Sequence, residues 1–173
     1  YQAEVASYAP LKDKPRLSKH AYLWGIQQFS PAILTDGCWL QHSKQLTLLA
    51  NNSIGDILFK IYDDETGNGI AAQNHPFMYQ QLLDSVALTV PAINTQAFSD
   101  YTGFIDSAFD IPVYLMAISK FPSVFLPELL GLNMAIEISG LGKVYLRLAQ
   151  ELRYYGINPA IVNVHISIDN MAT

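Results

Sequence analysis

The sequence has little cysteine, little charge and no long apolar run. Cys38 is the one cysteine among 173 residues, which excludes an internal disulfide framework and a CxxC metal site and is typical of a cytoplasmic protein. Charged residues make up 14%, the net charge is −5, and there is no basic run, so the sequence lacks the electrostatic features of a nucleic-acid-binding protein. No stretch approaches the ~18 uncharged apolar residues of a membrane span, and we expect no membrane partner.

Several catalytic motifs are also missing. The chain contains no GxSxG, P-loop, GxGxxG or HExxH sequence, and Cys38 has no basic neighbour that would activate its thiol. Half of the residues are hydrophobic and 12% are aromatic, which is enough for a packed core. We therefore predict a single helical domain over residues 1–173. The first residue is Tyr1 and the last residues continue a helical pattern, so we expect the domain to be incomplete at both ends.

The apolar residues recur with helical spacing, and proline and glycine fall between the apolar blocks. Ser30-Pro31 and Asn158-Pro159 each predict a helix start, with the proline at the first helical position. Residues 164–168 alternate like a short strand, but the preceding Asn158-Pro159 favours a helix. The fold class is therefore predicted to be all-α. The predicted helices are Leu17–Phe29, Ala32–Asn51, Ile54–Glu65, Pro76–Leu88, Thr95–Ala108, Ile111–Phe121, Ser123–Leu141, Lys143–Gly156 and 159 to the end.

Two predicted helices place charged side chains on apolar faces, where a charge is costly unless it is paired or bound to a metal. The helical neighbours of Glu137 are mostly apolar, so its carboxylate is predicted to point into the core. His165 and Asp169 are four residues apart on an apolar face, which is a spacing used by metal ligands. A buried hydrogen-bonded Glu and a simple His–Asp ion pair are the alternative interpretations.

Two further places bring potential ligands inward. Glu65 precedes a glycine-containing turn and His75 follows it, so the two side chains can face each other, although a helix-end carboxylate and a surface histidine also fit the pattern. The predicted helix Ala32–Asn51 carries Asp36 and His42 on apolar faces, and each is a weak signal alone. Together these carboxylates and imidazoles form the mixed ligand set that helical bundles use for iron or manganese, and zinc is less favoured without cysteine ligands.

The order of these motifs resembles the heme-oxygenase-like diiron oxidases, also called CADD-like or iron-containing redox enzymes. The resemblance extends from about residue 32 to the end. It is carried by Glu65-Thr-Gly-Asn-Gly with a histidine ten residues later, by Pro127-Glu128-Leu-Leu-Gly131 leading to Glu137, and by Gly156-Ile-Asn-Pro followed by His165-Ile-Ser-Ile-Asp169-Asn.

The resemblance implies a seven-helix heme-oxygenase-like bundle that binds non-heme iron and activates O₂ to oxidise a small substrate, such as an amino acid or a fatty acid. By position it implies the metal ligands Glu65, His75, Glu137, His165 and Asp169, with Glu137 also available for acid–base chemistry. Many relatives have a further histidine three residues after the position of Asp169, where this chain has Ala172. They also have a carboxylate on an early helix, for which Asp36 is the inward candidate. One or two iron ions are both compatible with this ligand set.

Two other classes of function stay open at this point. A metal-independent heme-oxygenase-like enzyme, of the thiaminase-like or quinone-cofactor-synthesis kind, would use Glu137 for acid–base work but would leave His165 and Asp169 without a role. A non-catalytic helical binding domain would use the inward polar groups only as pairs. The sequence also allows a homodimer.

Overall fold

The computed structural model describes residues 14–48, 52–139 and 143–168. Within these ranges the chain forms α-helices and short 3₁₀ helices and contains no strand, which confirms the all-α prediction. The 3₁₀ helices are Cys38–Leu40, Ser43–Leu48, Ala71–Gln73 and Asp106–Phe109. The α-helices are α1 (Lys19–Ile33), α2 (Asn52–Glu65), α3 (His75–Ser85), α4 (Gln96–Ser99), α5 (Asp110–Ser119), α6 (Leu126–Ser139), α7 (Lys143–Tyr154) and α8 (Ala160–Ile168).

The predicted helix Ala32–Asn51 is wrong. Helix α1 continues through Ser30-Pro31 and ends at Ile33, so Pro31 lies in the last turn of one helix and does not begin another. Residues 34–37 form a turn, and 3₁₀ helices follow it. Burial of Tyr22 and Ile26 in a core shared with α3 and α8 stabilises α1 along its length. This tertiary packing outweighs the local start signal of Ser30-Pro31.

The predicted helix Thr95–Ala108 is also wrong, because α4 has only four residues and turns follow it. The buried side chain of Gln28 takes the place of helical hydrogen bonds in this segment. Its Nε2 donates to the carbonyl oxygen of Gly103 at 2.9 Å, and its Oε1 accepts from the backbone N–H of Ile105 at 2.9 Å. A side chain from α1 therefore satisfies the backbone of an irregular loop.

The predictions for the last two helices are confirmed as far as residue 168, where the described part of the chain ends. Gly156 has a φ of 69°, and the backbone N–H of Ile157 donates to the carbonyl oxygen of Leu152 at 2.9 Å, as in a Schellman motif at the end of α7. Asn158 caps α8, since its Oδ1 accepts from the backbone N–H of Ala160 at 3.0 Å. Residues 164–168 are helical and not a strand.

The buried apolar side chains form two clusters. The first joins α1, α3, α7 and α8, and the second joins the segment Cys38–Leu48 to α2, α5 and α6. Tyr22, Tyr79 and Leu83 are central to the first cluster, and Trp39 and Leu115 belong to the second.

Among the described helices, none has by itself both the length and the apolar composition of a membrane span. Helices α6 and α7, which are bent by 52° relative to each other, reach these values only as a pair.

Candidate metal centre

Four side chains with metal-ligating atoms meet between the two clusters. Asp36, Glu65, His75 and His165 each place one ligand atom within 4.8 Å of the others. Their side chains are between 1% and 15% exposed. Asp36 and Glu65 come from the turn after α1 and from the end of α2, whereas His75 and His165 belong to the helices α3 and α8 of the first cluster. Residues that are far apart in sequence thus form one buried polar site.

The turn between α2 and α3 brings Glu65 and His75 together. Glu65 Oε2 lies 2.6 Å from His75 Nδ1. Gly67 has a φ of 85°, and a Cβ there would lie 2.5 Å from the backbone nitrogen of Asn74, so only glycine fits. Asn74 then caps α3, because its Oδ1 accepts from the backbone N–H of Phe77 at 2.8 Å while its Nδ2 donates to the carbonyl oxygen of Thr66 at 3.2 Å. Asn74 directly precedes His75, and its hydrogen bond to Thr66 joins it to the residue that follows Glu65. This contact holds the two ends of the turn together.

Asp36 reaches the site from a turn and not from a helix. Its Oδ2 lies 3.2 Å from His75 Nδ1 and 3.3 Å from His165 Nε2. The next residue, Gly37, has a φ of 77°, and a Cβ on it would lie 3.0 Å from the Cβ of Glu65. Glycine at this position therefore lets the backbone of the turn approach Glu65.

His165 is oriented by its own helix. Its Nδ1 donates to the carbonyl oxygen of Ile161, one turn earlier in α8, at 2.7 Å. This hydrogen bond places a proton on Nδ1 and directs Nε2 towards Asp36. The rings of His75 and His165 lie 4.5 Å apart between centroids.

The four groups perturb each other's ionisation. Burial disfavours the charge on Asp36, but the hydrogen bonds from His165 and His75 outweigh burial and lower the Asp36 pKa to about 2. Burial also favours neutral His75, but the carboxylates of Asp36 and Glu65 raise the His75 pKa to about 10. Burial and the charge of Asp36 raise the pKa of Glu65. Burial favours neutral His165, but the hydrogen bond to Asp36 outweighs burial and raises the pKa of His165. Protons on the imidazoles thus offset the charge of the carboxylates when no cation is present.

The other predicted site residues have different positions. Glu137 is buried on α6, as its helical spacing predicts, with 8% of its surface exposed, but it does not belong to the group of four converging atoms found among the described residues. It lies one turn after Asn133, whose Oδ1 accepts from Trp39 Nε1 at 3.0 Å. Asp169 lies outside the described residues. His42 lies in a turn and is not a member of the group of four.

Cys38 does not contribute a reactive thiol. Burial, with the charge of Asp36 as a smaller cause, raises the pKa of Cys38 to about 11. This agrees with the absence of a basic neighbour in the sequence. Gly37 and Asn74, in contrast, position the site although the sequence did not single them out. The Asn-x-Pro pattern at residues 74–76, a helix cap followed by proline, is the signal that identifies Asn74.

Comparison with known families agrees with this geometry. The profile of a family described as iron-containing redox enzymes matches residues 23–171. The chain belongs to this family. The iron-containing redox enzymes are oxidoreductases with a heme-oxygenase-like helical fold, which is the fold class of the structure described above. No curated protein and no solved structure matches the chain.

The residues present fit the iron that the family contains. Two carboxylates and two imidazoles form a mixed oxygen and nitrogen donor set, which suits iron better than a thiolate-binding metal. The single N–H of His75 Nδ1 hydrogen-bonds to Asp36. Glu65 Oε2 lies 2.6 Å from the same nitrogen, so two buried carboxylates share one N–H donor. A cation between these carboxylates would stabilise both of their charges, which a single N–H does not.

Proposed function

We propose that this protein is a non-heme iron oxidase or oxygenase of the heme-oxygenase-like diiron (CADD-like) type, which uses O₂ to oxidise a small organic substrate with amino-acid-like or fatty-acid-like character. The observation that carries the proposal is the convergence of ligand atoms from Asp36, Glu65, His75 and His165 within 4.8 Å. Membership of the iron-containing redox enzyme family supports the coarse activity.

Each residue of the group has a role in this proposal. Asp36 and Glu65 would supply carboxylate oxygens, and His75 Nδ1 and His165 Nε2 would supply imidazole nitrogens. Iron, when bound, supplies the electrons that reduce O₂. The carbonyl oxygen of Ile161 holds the His165 tautomer, and burial of the four side chains keeps bulk water from the reacting atoms.

Glu137 and Asp169 complete the proposed ligand set. Glu137 is buried on α6, and its carboxylate would act as a further ligand or as the group that accepts a proton from the substrate. The hydrogen bond between Trp39 and Asn133 ties this part of α6 to the segment that follows Asp36. Asp169 follows His165 by four residues in sequence, which is the spacing that the family resemblance implies for a second ligand.

A cavity whose lining includes the sequence neighbour of Asp36 would suit a small and largely apolar substrate. It has a volume of about 210 Å³ and lies next to Thr35, the residue before Asp36. Phe98, Phe109 and Met116 supply apolar walls. The hydroxyl of Thr35 already donates to the carbonyl oxygen of Pro31 at 2.8 Å, so it offers an acceptor and no free proton. An apolar chain or ring fits these walls better than a strongly charged ligand.

The test is anaerobic reconstitution with Fe(II), followed by measurement of bound iron and of O₂ uptake with a panel of amino acids and fatty acids. Wild-type protein is expected to bind one or two iron ions and to consume O₂ faster with its substrate. Glu65→Gln and His165→Gln are each expected to lower iron affinity at least ~10-fold, because each removes a donor atom.

His20→Gln is the matched control. His20 is exposed at the start of α1, so its substitution should leave iron binding unchanged. Equal iron binding by the wild type and by both site variants would contradict the proposal. Turnover of a substrate by iron-free protein, lost in Glu137→Gln, would instead establish the metal-independent class of heme-oxygenase-like enzymes.

A further inference from the structure

A groove lies between α7 and the chain at the start of α1. Its volume is about 600 Å³, and pockets for small molecules have volumes of roughly 300–1,000 Å³. We call it the α1–α7 groove, and its walls include Arg16, Leu17, Lys143, Val144, Arg147 and Leu148. Among the described residues, its lining shares no member with the four converging side chains or with the cavity next to Thr35. The groove is therefore a separate candidate site for a ligand.

Helix α7 presents two rows of side chains to the α1–α7 groove. Lys143, Arg147 and Glu151 follow one another at intervals of four residues, so they lie in one row along the helix. Val144 and Leu148 form the adjacent row, each one residue later in the sequence. A charged row beside an apolar row gives the groove one side for an ionic group and one side for a hydrocarbon chain.

The other wall of the groove repeats the combination of a cation and an apolar side chain. It is formed by Arg16 and Leu17, which precede α1, and by Tyr22 of α1. The hydroxyl of Tyr155, directly after α7, donates to the carbonyl oxygen of Leu17 at 2.7 Å, and the hydroxyl of Tyr22 donates to Glu151. These two hydrogen bonds hold the start of α1 beside α7, so the two walls of the groove are fixed relative to each other.

The α1–α7 groove is cationic although the chain is acidic. Its lining contains three cations and one carboxylate, whereas the net charge of the chain is −5. Arg147 Nε donates to Glu151 Oε1 at 2.6 Å, so these two charges offset each other. Arg16 and Lys143 are exposed, and neither forms a salt bridge within the part of the chain that the structure describes. Their positive charge therefore attracts an anion to the groove.

We propose that the α1–α7 groove binds an amphipathic anion, a small molecule with a carboxylate or phosphate headgroup on a hydrocarbon tail. The headgroup accepts hydrogen bonds from Arg16 and Lys143, and the tail covers Leu17, Val144 and Leu148. Leu17 and Val144 are 55% and 74% exposed, so a tail that covers them removes apolar surface from water. A small inorganic anion would use only the cations, and a neutral hydrocarbon only the apolar row. This binding does not depend on the oxidase activity proposed above.

Isothermal titration calorimetry with decanoate and with decyl phosphate tests the proposal, because the two probes share a tail and differ in the headgroup. At least one of them is expected to bind at least ~10-fold more tightly than acetate, which lacks the tail, and than 1-decanol, which lacks the charge. The tighter of the two probes identifies the headgroup. Absence of binding by both probes would overturn the proposal, and so would equal affinity for acetate or for 1-decanol.

Variants of the two exposed cations show whether the tighter probe occupies the groove. Lys143→Gln and Arg16→Gln are each expected to raise its Kd at least ~5-fold, because each removes a cation that the headgroup contacts. Lys60→Gln is the matched control. Lys60 is exposed on α2, outside the groove, and its substitution changes the net charge equally but should change the Kd less than ~2-fold. Equal effects of all three variants would show that only the net charge attracts the anion, and would overturn the proposal.

Diffraction from the wild-type protein gives a second measurement that does not rely on variants. Crystals soaked with the tighter probe, labelled with bromine at the end of its tail, are expected to show an anomalous bromine peak beside Val144 or Leu148. A bromine peak only in the cavity next to Thr35 would overturn the proposal. Binding to vesicles of anionic phospholipid without binding of either soluble probe would also overturn it, because the cations would then serve a lipid surface.

Discussion

Gly37 and Gly67 set the distances between the donor atoms of the candidate metal centre. Both have positive φ, which glycine adopts without strain, and both lie where another part of the chain passes closely. At Gly37 the neighbour is the Cβ of Glu65, and at Gly67 it is the backbone of Asn74. The contact at Gly37 joins the turn that carries Asp36 to Glu65. A larger residue at position 37 would therefore change the distance between the two carboxylates.

The substitution Gly37→Ala tests this effect. The new Cβ would lie 3.0 Å from the Cβ of Glu65, so we expect the turn to move away and the affinity for Fe(II) or Co(II) to fall at least ~10-fold. The positive φ adds about 1–2 kcal/mol of destabilisation, measured by urea unfolding. Gly69→Ala is the control, since Gly69 has a φ of 79° but no atom within 4 Å of the new Cβ. Equal loss of metal affinity in both variants would show that strain alone, and not the contact with Glu65, is responsible.

The sequence identified all four members of the converging group as candidates, for different reasons. Glu65 and His75 flank a glycine turn, and His165 lies on an apolar helical face, so local patterns were sufficient for these three. Asp36 was a weak candidate on a helix that the structure does not contain. Its contact with two histidines depends on the turn after α1, and no local periodicity describes a turn. The assignment of the group as metal ligands stays a prediction.

The start of α3 positions the histidine side of the candidate metal centre. Asn74 caps the helix through the N–H of Phe77 and binds the carbonyl oxygen of Thr66. His75 is the first residue of α3, so the cap that begins the helix also fixes the backbone that carries the imidazole. The cap at Asn74 therefore stabilises α3 and also fixes the position of His75 in the site.

Asn74→Ala should separate these two consequences. Loss of the cap is expected to lower the free energy of unfolding by about 1 kcal/mol, and loss of the hydrogen bond to Thr66 should also weaken Fe(II) or Co(II) binding. Ser18→Ala removes the cap of α1, where Ser18 Oγ accepts from the N–H of Ala21, and should cost similar stability without an effect on metal binding. Unchanged metal binding in Asn74→Ala would show that the cap serves only the helix.

The elements that the sequence predicted correctly are those with both periodicity and agreeing end signals. Helices α7 and α8 have such signals in Gly156 and Asn158-Pro159, and both are present as predicted within the described residues. The predictions failed where a distant side chain decides the local structure. Ser30-Pro31 is absorbed into α1 by packing, and Gln28 satisfies the loop at Gly103 from across the fold. Local patterns contain no information about such long-range contacts.

A polar group of Tyr22, Arg147 and Glu151 connects α1 to α7 at the edge of the first cluster. Tyr22 donates its hydroxyl hydrogen to Glu151 Oε2 at 2.5 Å, and Arg147 Nε donates to Glu151 Oε1 at 2.6 Å. Burial raises the pKa of Glu151, but these two partners outweigh burial and lower it overall. The ionised form of Glu151 is therefore favoured in the folded state.

This shift predicts a pH dependence of stability. A carboxyl group with a lowered folded pKa stabilises the protein above its unfolded pKa of about 4.5, and the stabilisation disappears as the pH falls through the folded pKa. At pH 7 the free energy of unfolding of the wild-type protein should be about 1 kcal/mol higher than that of Glu151→Gln, and this difference should vanish in acid. When both proteins also carry Arg147→Gln, the difference between them at pH 7 should be smaller. A difference independent of pH would contradict the ionic origin.

Anomalous diffraction at the iron absorption edge, from crystals grown anaerobically with Fe(II), would locate the metal in the protein. We expect an iron peak enclosed by Asp36, Glu65, His75 and His165, because the ligand atoms of these four residues already lie within 4.8 Å of one another. A second peak beside Glu137 would indicate two ions. An iron peak elsewhere, or none at the four residues in iron-loaded crystals, would contradict the claim that this buried group is the iron site.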